Sequence, residues 1–176
     1  MTWGPTPMIV RQLKNGCPVL IRPLRPDDRE TIRRGVAELS SRSLYFRFLR
    51  TVRELTDEEL TYLTETDGEN HFALLATNAE ETRGLAVARW VRVADEPGVG
   101  EFAITVADSH HGLGLATLLL ACIIKSGTEA GLNTLRAYIH RENSAMAHVF
   151  RKAGGRLIRS EAGVQCFELA LFKGVG

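Results

Sequence analysis

The sequence predicts an α+β fold: a central mixed, mostly antiparallel sheet flanked by helices. Three observations carry that expectation. Short runs of β-type apolar residues recur through the middle of the chain with polar turns between them, the pattern of an antiparallel meander. One such run, Glu101 to Val106, passes through Gly112 and Gly114 into a long apolar helical stretch and then into a further strand at Leu135 to His140. A strand–helix–strand crossover makes those two strands parallel. Finally, 176 residues with 44% apolar and 24% charged content suit an ordinary globular chain with one sizeable core.

Composition also excludes partners. A net charge of +1 argues for no nucleic acid and no membrane surface. No apolar run approaches the ~20 residues of a membrane helix. The first residues, Met1 to Pro5, lack a basic and apolar leader. Cys17, Cys122 and Cys166 are far apart and odd in number, with no Cys-x-x-Cys pair. They suggest neither a zinc site nor a disulfide framework, and a reducing, cytoplasmic setting is expected. The expectation is one domain over 1–176, with an N-terminal hairpin at about 8–24 and a cofactor-binding core at about 99–155.

In chain order, Met8 to Leu13 and Pro18 to Leu24 flank Asn15 and Gly16, and Asn-Gly is a strong hairpin signal because both residues accept positive φ. Asp27, with Glu30 three residues later, fits an N-cap and capping box for a first helix. Arg22, Arg25, Arg29, Arg33 and Arg34 read mostly as a solvated helix face. Ser40, Ser41 or Ser43 caps a second helix carrying Leu44, Tyr45 and Phe48, and Thr56 opens a third. His71 to Ala76 and Arg83 to Val93 are strands, the latter with a small-apolar run from Gly84 to Trp90. A turn over Ala94 to Gly98 leads into the strand from Val99. After the crossover helix and the Leu135 strand, Asn143 and Ser144 cap a helix to about Ala153, which Gly154 and Gly155 terminate. Arg156 to Ser160 and Gln165 to Phe172 form a last hairpin.

The stretch Glu101 to Leu120 organises the rest. Phe102, Ile104 and Val106 alternate with Glu101, Ala103 and Thr105, so the strand is half-buried. Gly112 and Gly114 turn the backbone without a Cβ in the way, and a helix starts at once. A helix head carries unpaired N–H groups and partial positive charge, so the amides from Gly112 to Thr117 make a site for a phosphate or diphosphate.

Two phosphate-binding patterns compete here. A dinucleotide fold wants Gly-x-Gly-x-x-Gly and an acidic residue about twenty positions on. Thr117 stands where the third glycine should be, and Glu142 falls late. The other pattern is Gln/Arg-x-x-Gly-x-Gly/Ala. The run His111, Gly112, Leu113, Gly114, Leu115, Ala116 resembles it, departing where His111 replaces Gln or Arg. That pattern marks the acyl-coenzyme A site of the GNAT superfamily of N-acetyltransferases, and the element order matches its fold along nearly the whole chain. The segments Gly100 to Asp108 and Leu39 to Leu49 look like the subgroup of bacterial protein lysine acetyltransferases.

The resemblance implies acetyl transfer from acetyl-CoA, as co-substrate, to an amine acceptor by direct attack. The acceptor is either a protein lysine or a small amine, and a homodimer is left open. Cofactor contacts fall on Ile104, Thr105, Val106, His111, Gly112, Leu113, Gly114, Leu115, Ala116, Thr117, Asn143 and Phe150. The pantetheine arm pairs with the edge of the Ile104 to Val106 strand where it splays from its parallel neighbour. Glu101 is the catalytic residue, a general base whose carboxylate gains strength from burial. Neutral amine must be supplied because an ammonium of pKa ~10.4 is charged at neutral pH. Phe150 stands where many relatives carry a tyrosine acid, so no general acid is assigned. Tyr45 and Arg47 line the acceptor pocket. No metal is expected from the adjacent His110 and His111, and Arg136, His140 and Arg141 are either cofactor-phosphate contacts or a solvated strand end, the latter being favoured. The alternative reading is a non-catalytic acyl-CoA sensor of the same fold.

Overall fold

The computed structural model describes residues 8–172. The expectation about a leader at Met1 to Pro5 lies outside them. The chain begins with the strands β1 (Ile9–Gln12) and β2 (Pro18–Pro23), joined through Asn15 and Gly16, whose φ is 82°. The Asn15 carboxamide oxygen accepts the Cys17 N–H at 3.1 Å, the local bond that makes asparagine a turn former. Three helices follow: α1 (Arg29–Ala37), α2 (Ser41–Phe48) and α3 (Asp57–Thr64). Ser40 caps α2 by accepting the Ser43 N–H, and Thr56 with Glu59 forms a full capping box on α3.

Then come β3 (His71–Asn78), β4 (Gly84–Val93), β5 (Glu96–Val106), α4 (Leu115–Glu129), β6 (Thr134–His140), α5 (Ser144–Lys152), β7 (Arg156–Glu161) and β8 (Val164–Ala170). The eight strands form one sheet in the order β1-β2-β3-β4-β5-β6-β8-β7. Only the β5–β6 pair is parallel, as the crossover requires.

The two faces of the sheet differ. On one, α4 and α5 cover Trp90, Phe102, Leu135 and Phe167, with Leu115, Leu119, Ile123 and Phe150 inserted from the helices. The buried positions of α4 recur at three and four residues, so one stripe of the helix meets the sheet. Trp90 donates its indole N–H to the Ser126 hydroxyl at 3.0 Å, pairing the one polar atom of a side chain otherwise sealed in the core. On the other face α1 to α3 cover a smaller apolar cluster of Leu24, Ile32, Leu60, Ala73 and Leu75.

Three expectations need correction. The first helical segment opens with a 3₁₀ turn at Pro26–Asp28, and α1 starts at Arg29, so neither Asp27 nor Glu30 caps it. Asp28 turns inward instead. Arg22 is not on a solvated face: it lies on β2, is 5% exposed, and pairs through two guanidinium nitrogens with Asp28 at 2.7 and 2.8 Å. Its Nε meets Glu81 at 2.6 Å. The third correction is β5, which starts at Glu96 rather than Val99, because a bulge at Arg92 and Val93 lets Glu96 still find Val93.

Candidate active site

The site is a cleft opened by the parting of β5 and β6. Cα partners run from Val99 with Thr134 to Phe102 with Ala137 and then stop. Ala103 to Val106 and Tyr138 to His140 therefore diverge, with no ladder between them. On its other side β5 stays paired with β4 as far as Val106. Ala107 continues that ladder by donating to the Leu85 carbonyl at 2.8 Å. Antiparallel hydrogen bonds alternate, so if Ala107 faces β4, Thr105 and Ala103 do too, and the backbone groups of Ile104 and Val106 face the cleft.

At the foot of the cleft lies the glycine turn. Gly112 and Gly114 have φ of 75° and 89°, which glycine adopts without strain. Gly114 is the N-cap of α4, and the first helical bond runs from Leu118 N–H to the Gly114 carbonyl at 3.1 Å. The six amides from Gly112 to Thr117 thus have no acceptor among the described residues. They head a fifteen-residue helix. This is the arrangement that suits a diphosphate. The hairpin braces it: Lys14 N–H donates to the Leu113 carbonyl at 3.1 Å. The Lys14 side chain runs 3.5 Å from where a Cβ on Gly114 would sit. Lys14, Arg42 and Lys152 line the same groove and add positive charge, and sequence reading passed over all three.

The groove has a volume of about 820 Å³, within the range of cofactor sites. Of the expected cofactor contacts, Ile104, Thr105, Val106, His111, Gly112, Gly114, Leu115, Ala116, Thr117 and Asn143 line it. The Asn143 side-chain oxygen caps α5 by accepting the Met146 N–H at 3.2 Å, so its amide nitrogen is the atom left for a ligand. His111 Nε2 lies 3.0 Å from the Val106 carbonyl. A carbonyl only accepts, so the ring proton sits on Nε2, and the imidazole ties the loop to the strand rather than facing phosphate.

Two contacts are not found. Phe150 is fully buried, with its ring centroid 5.8 Å from Phe102 and 6.2 Å from Phe167. It fills the core beneath the cleft because α5 turns that side to α4. The Leu113 side chain likewise packs against the core rather than the groove wall, while its amide stays in the free row.

The acceptor side is built by α2, from which Ser43, Phe46 and Arg47, spaced as on one helix face, line the groove along with Arg42 and Phe48. Tyr45 points elsewhere. It is two positions from Arg47, hence nearly opposite on the helix, and meets the His140 ring edge-on at 5.4 Å. Phe46 stacks on the same ring at 5.5 Å. His140 is therefore not a bare strand end, and neither is Arg136, which pairs with Glu96 and Glu168 at 2.7 Å each. Asp108 anchors the start of α2, accepting the Ser40 N–H at 2.6 Å and a bond from the Ser43 hydroxyl.

Glu101 lines the groove on the face shared with Ala103 and Thr105, opposite Val91. Burial is not its condition here: the residue is exposed. Its charge is felt by Arg47, which is half-buried. Burial pushes the Arg47 guanidinium below its usual value, and the Glu101 carboxylate opposes that push. Tyr138, on β6, is the one tyrosine among the described residues that lines the groove, and no sequence signal singled it out.

Comparison with known proteins agrees with this fold. The family model described as Acetyltransferase (GNAT) domain matches residues 19–156. Acetyltransferase Pat of Mycolicibacterium smegmatis is 33% identical over 164 residues, covering 93% of this chain and 49% of that protein. The chain thus spans about half the length of that relative. Acetyltransferase PA5475 of Pseudomonas aeruginosa is 34% identical over 139 residues, 78% of this chain and 74% of that protein. The crystal structure of the GNAT domain of S. lividans PAT superposes with a TM-score of 0.88 at 28% identity, covering 93% of this chain and 97% of that one.

Proposed function

The chain belongs to the GNAT acetyltransferase family, and on that premise we propose that it moves an acetyl group from acetyl-CoA to an amine by direct attack. The observation that carries this is the row of six unpaired amides at the head of α4, at the foot of a cleft where β5 has no strand partner on the β6 side after Phe102. The amides and Lys14, Arg42 and Lys152 receive the phosphates of the co-substrate. The inward N–H groups of Ile104 and Val106 and the Ile104 carbonyl pair with its peptide-like arm, as an added strand would. One of these N–H groups polarises the thioester carbonyl as charge develops on oxygen.

Glu101 takes the proton from the incoming ammonium, directly or through a water. The thiol of coenzyme A, with an ordinary pKa near ~8.5, leaves as thiolate or takes a proton from Tyr138. The setting is cytoplasmic, and the acceptor is a protein lysine or a small amine.

The sensor reading rests on Phe150, a buried ring where an acid would stand. One assay separates the two. Thiol release from acetyl-CoA is followed across a panel of amines and lysine peptides, alongside the rise in melting temperature with acetyl-CoA and with NADH. Amine-dependent release with stabilisation by acetyl-CoA alone is expected. Stabilisation without release from any amine would favour the sensor, and stabilisation by NADH instead would overturn both.

A further inference from the structure

A second, smaller cavity of about 60 Å³ lies between the sheet and α1 to α3, walled by apolar side chains such as Ile32, Val36, Leu63 and Leu75. Arg47, Phe48 and Thr105 line both this cavity and the groove, so the two spaces are neighbours. Among the described residues, two guanidinium groups, Arg47 and Arg89, supply its charged walls.

Arg89 is 4% exposed. Its Nη1 donates to the Leu63 carbonyl at 3.1 Å and to His71 Nε2 at 2.8 Å. A guanidinium cannot accept, so His71 must, which makes its imidazole neutral with the proton on Nδ1. Neither partner is negative. The donors on Nε and Nη2 have no partner among the described residues, and no carboxylate pairs with either arginine. Among the described residues Arg47 has no hydrogen-bond partner, and it rests 4.9 Å over the Phe48 ring. Burial, with the nearby Arg47 charge, pushes Arg89 down to about 9, which still leaves it charged at neutral pH. A buried charge without a counter-ion is costly, and an incoming anion relieves that cost. A guanidinium fork matches a carboxylate in two hydrogen bonds. The cavity has room for about two waters, hence for a carboxylate but not for a whole amino acid.

We propose that Arg89 and Arg47 form a carboxylate-binding subsite opening off the acceptor end of the groove. The ligand that fills it carries its carboxylate at the far end of a short chain whose reacting end lies in the groove. This rests on the acyl transfer proposed above. The carboxylate belongs either to the acceptor, an amino acid-like amine, or to the acyl chain of a dicarboxylic acyl-CoA.

Calorimetric titration of the full chain separates these sources. Coenzyme A alone is titrated first. In one arm succinyl-CoA is compared with butyryl-CoA, which differs at the chain end. In the other, protein saturated with coenzyme A is titrated with amino acids of two to six carbons and with their amides. In one arm the carboxylate form should bind about tenfold tighter or more. Arg47→Gln and Arg89→Gln should each remove that preference while leaving coenzyme A affinity within about twofold. If Arg89→Gln does not fold, Arg47→Gln decides alone. Equal affinities in both arms, or a preference that survives the substitution, overturn the subsite. Failure of coenzyme A itself to bind sinks the proposed function and the subsite with it. Binding of coenzyme A without a carboxylate preference sinks only the subsite.

Discussion

Arg22 and Arg89 lie on the same face of one sheet and are 5% and 4% exposed. Their surroundings are opposite. Arg22, near the hairpin end, is closed by Asp28 and Glu81, and the hydrogen bonds it donates to Asp28 raise its pKa further. Burial alone would raise the Asp28 carboxyl, but Arg22 and the Arg25 amide outweigh it and hold it below its usual range. Arg89, nearer the cleft, finds a carbonyl and a neutral imidazole, and its pKa falls. The backbone repeats the contrast: β2, β3 and β4 are paired along their length, while β5 and β6 part after Phe102 and Ala137. One end of the sheet has its charges and hydrogen bonds satisfied internally. The other holds unpaired amides, a strand edge with no neighbouring strand and, in Arg89, a cation with no carboxylate partner among the described residues, which is where ligands can enter.

Opening the closed end should give the largest effect. Asp28→Ala leaves Arg22 with Glu81 alone and should cost about 3–5 kcal/mol in denaturant unfolding. A loss under about 1 kcal/mol would mean the two arginines are not so different after all. At the cleft, Glu101→Gln should lower kcat by about a hundredfold or more, with acetyl-CoA affinity nearly intact. An unchanged rate would remove Glu101 from the chemistry and leave the cleft as a binding site only.

Acid should weaken the cleft end first. Burial, reinforced by the Arg89 charge, lowers His71 to about 4, while the unfolded chain has an ordinary histidine near ~6.5. Between those values the unfolded state binds the proton and the folded state does not, so stability falls as pH drops from about 6.5 to 4. The loss should be on the order of 2 kcal/mol, before the Asp28 carboxylate titrates. His110 shifts the same way, again mainly through burial, so the readout is the difference between the chain and His71→Gln. Parallel pH profiles for the two would contradict the neutral partner assigned to Arg89.

The smallest change is at the helix head. Gly114→Ala forces a Cβ into a left-handed conformation and should cost about 1–2 kcal/mol, with a several-fold weaker affinity for coenzyme A. Equal affinity would say that the amide row does not hold the phosphates.

Much of this was legible from local signals. Asn15 and Gly16 turn the hairpin, Thr56 and Glu59 open α3, and Gly112 and Gly114 announce the helix head, because each signal acts within a few residues. What escaped depends on distance in sequence or on rotation. Glu81 is 59 positions from the arginine it closes, and Arg89 and His71 meet only across paired strands. Phe150 and Tyr45 sit on helices at the expected places but face the wrong way, which spacing alone does not fix unless the neighbouring helix is known. The splay of β5 from β6 is likewise a property of the sheet. No residue type between Ala103 and Val106 announces that the ladder stops there.

The most direct measurement is a crystal structure of the protein with coenzyme A. The diphosphate should lie about 2.7–3.2 Å from amide nitrogens between Gly112 and Thr117, with the arm between β5 and β6 and the sulfur on the Glu101 side. A diphosphate bound away from the head of α4, or a Glu101 side chain out of reach of anything placed against the sulfur, would contradict the account.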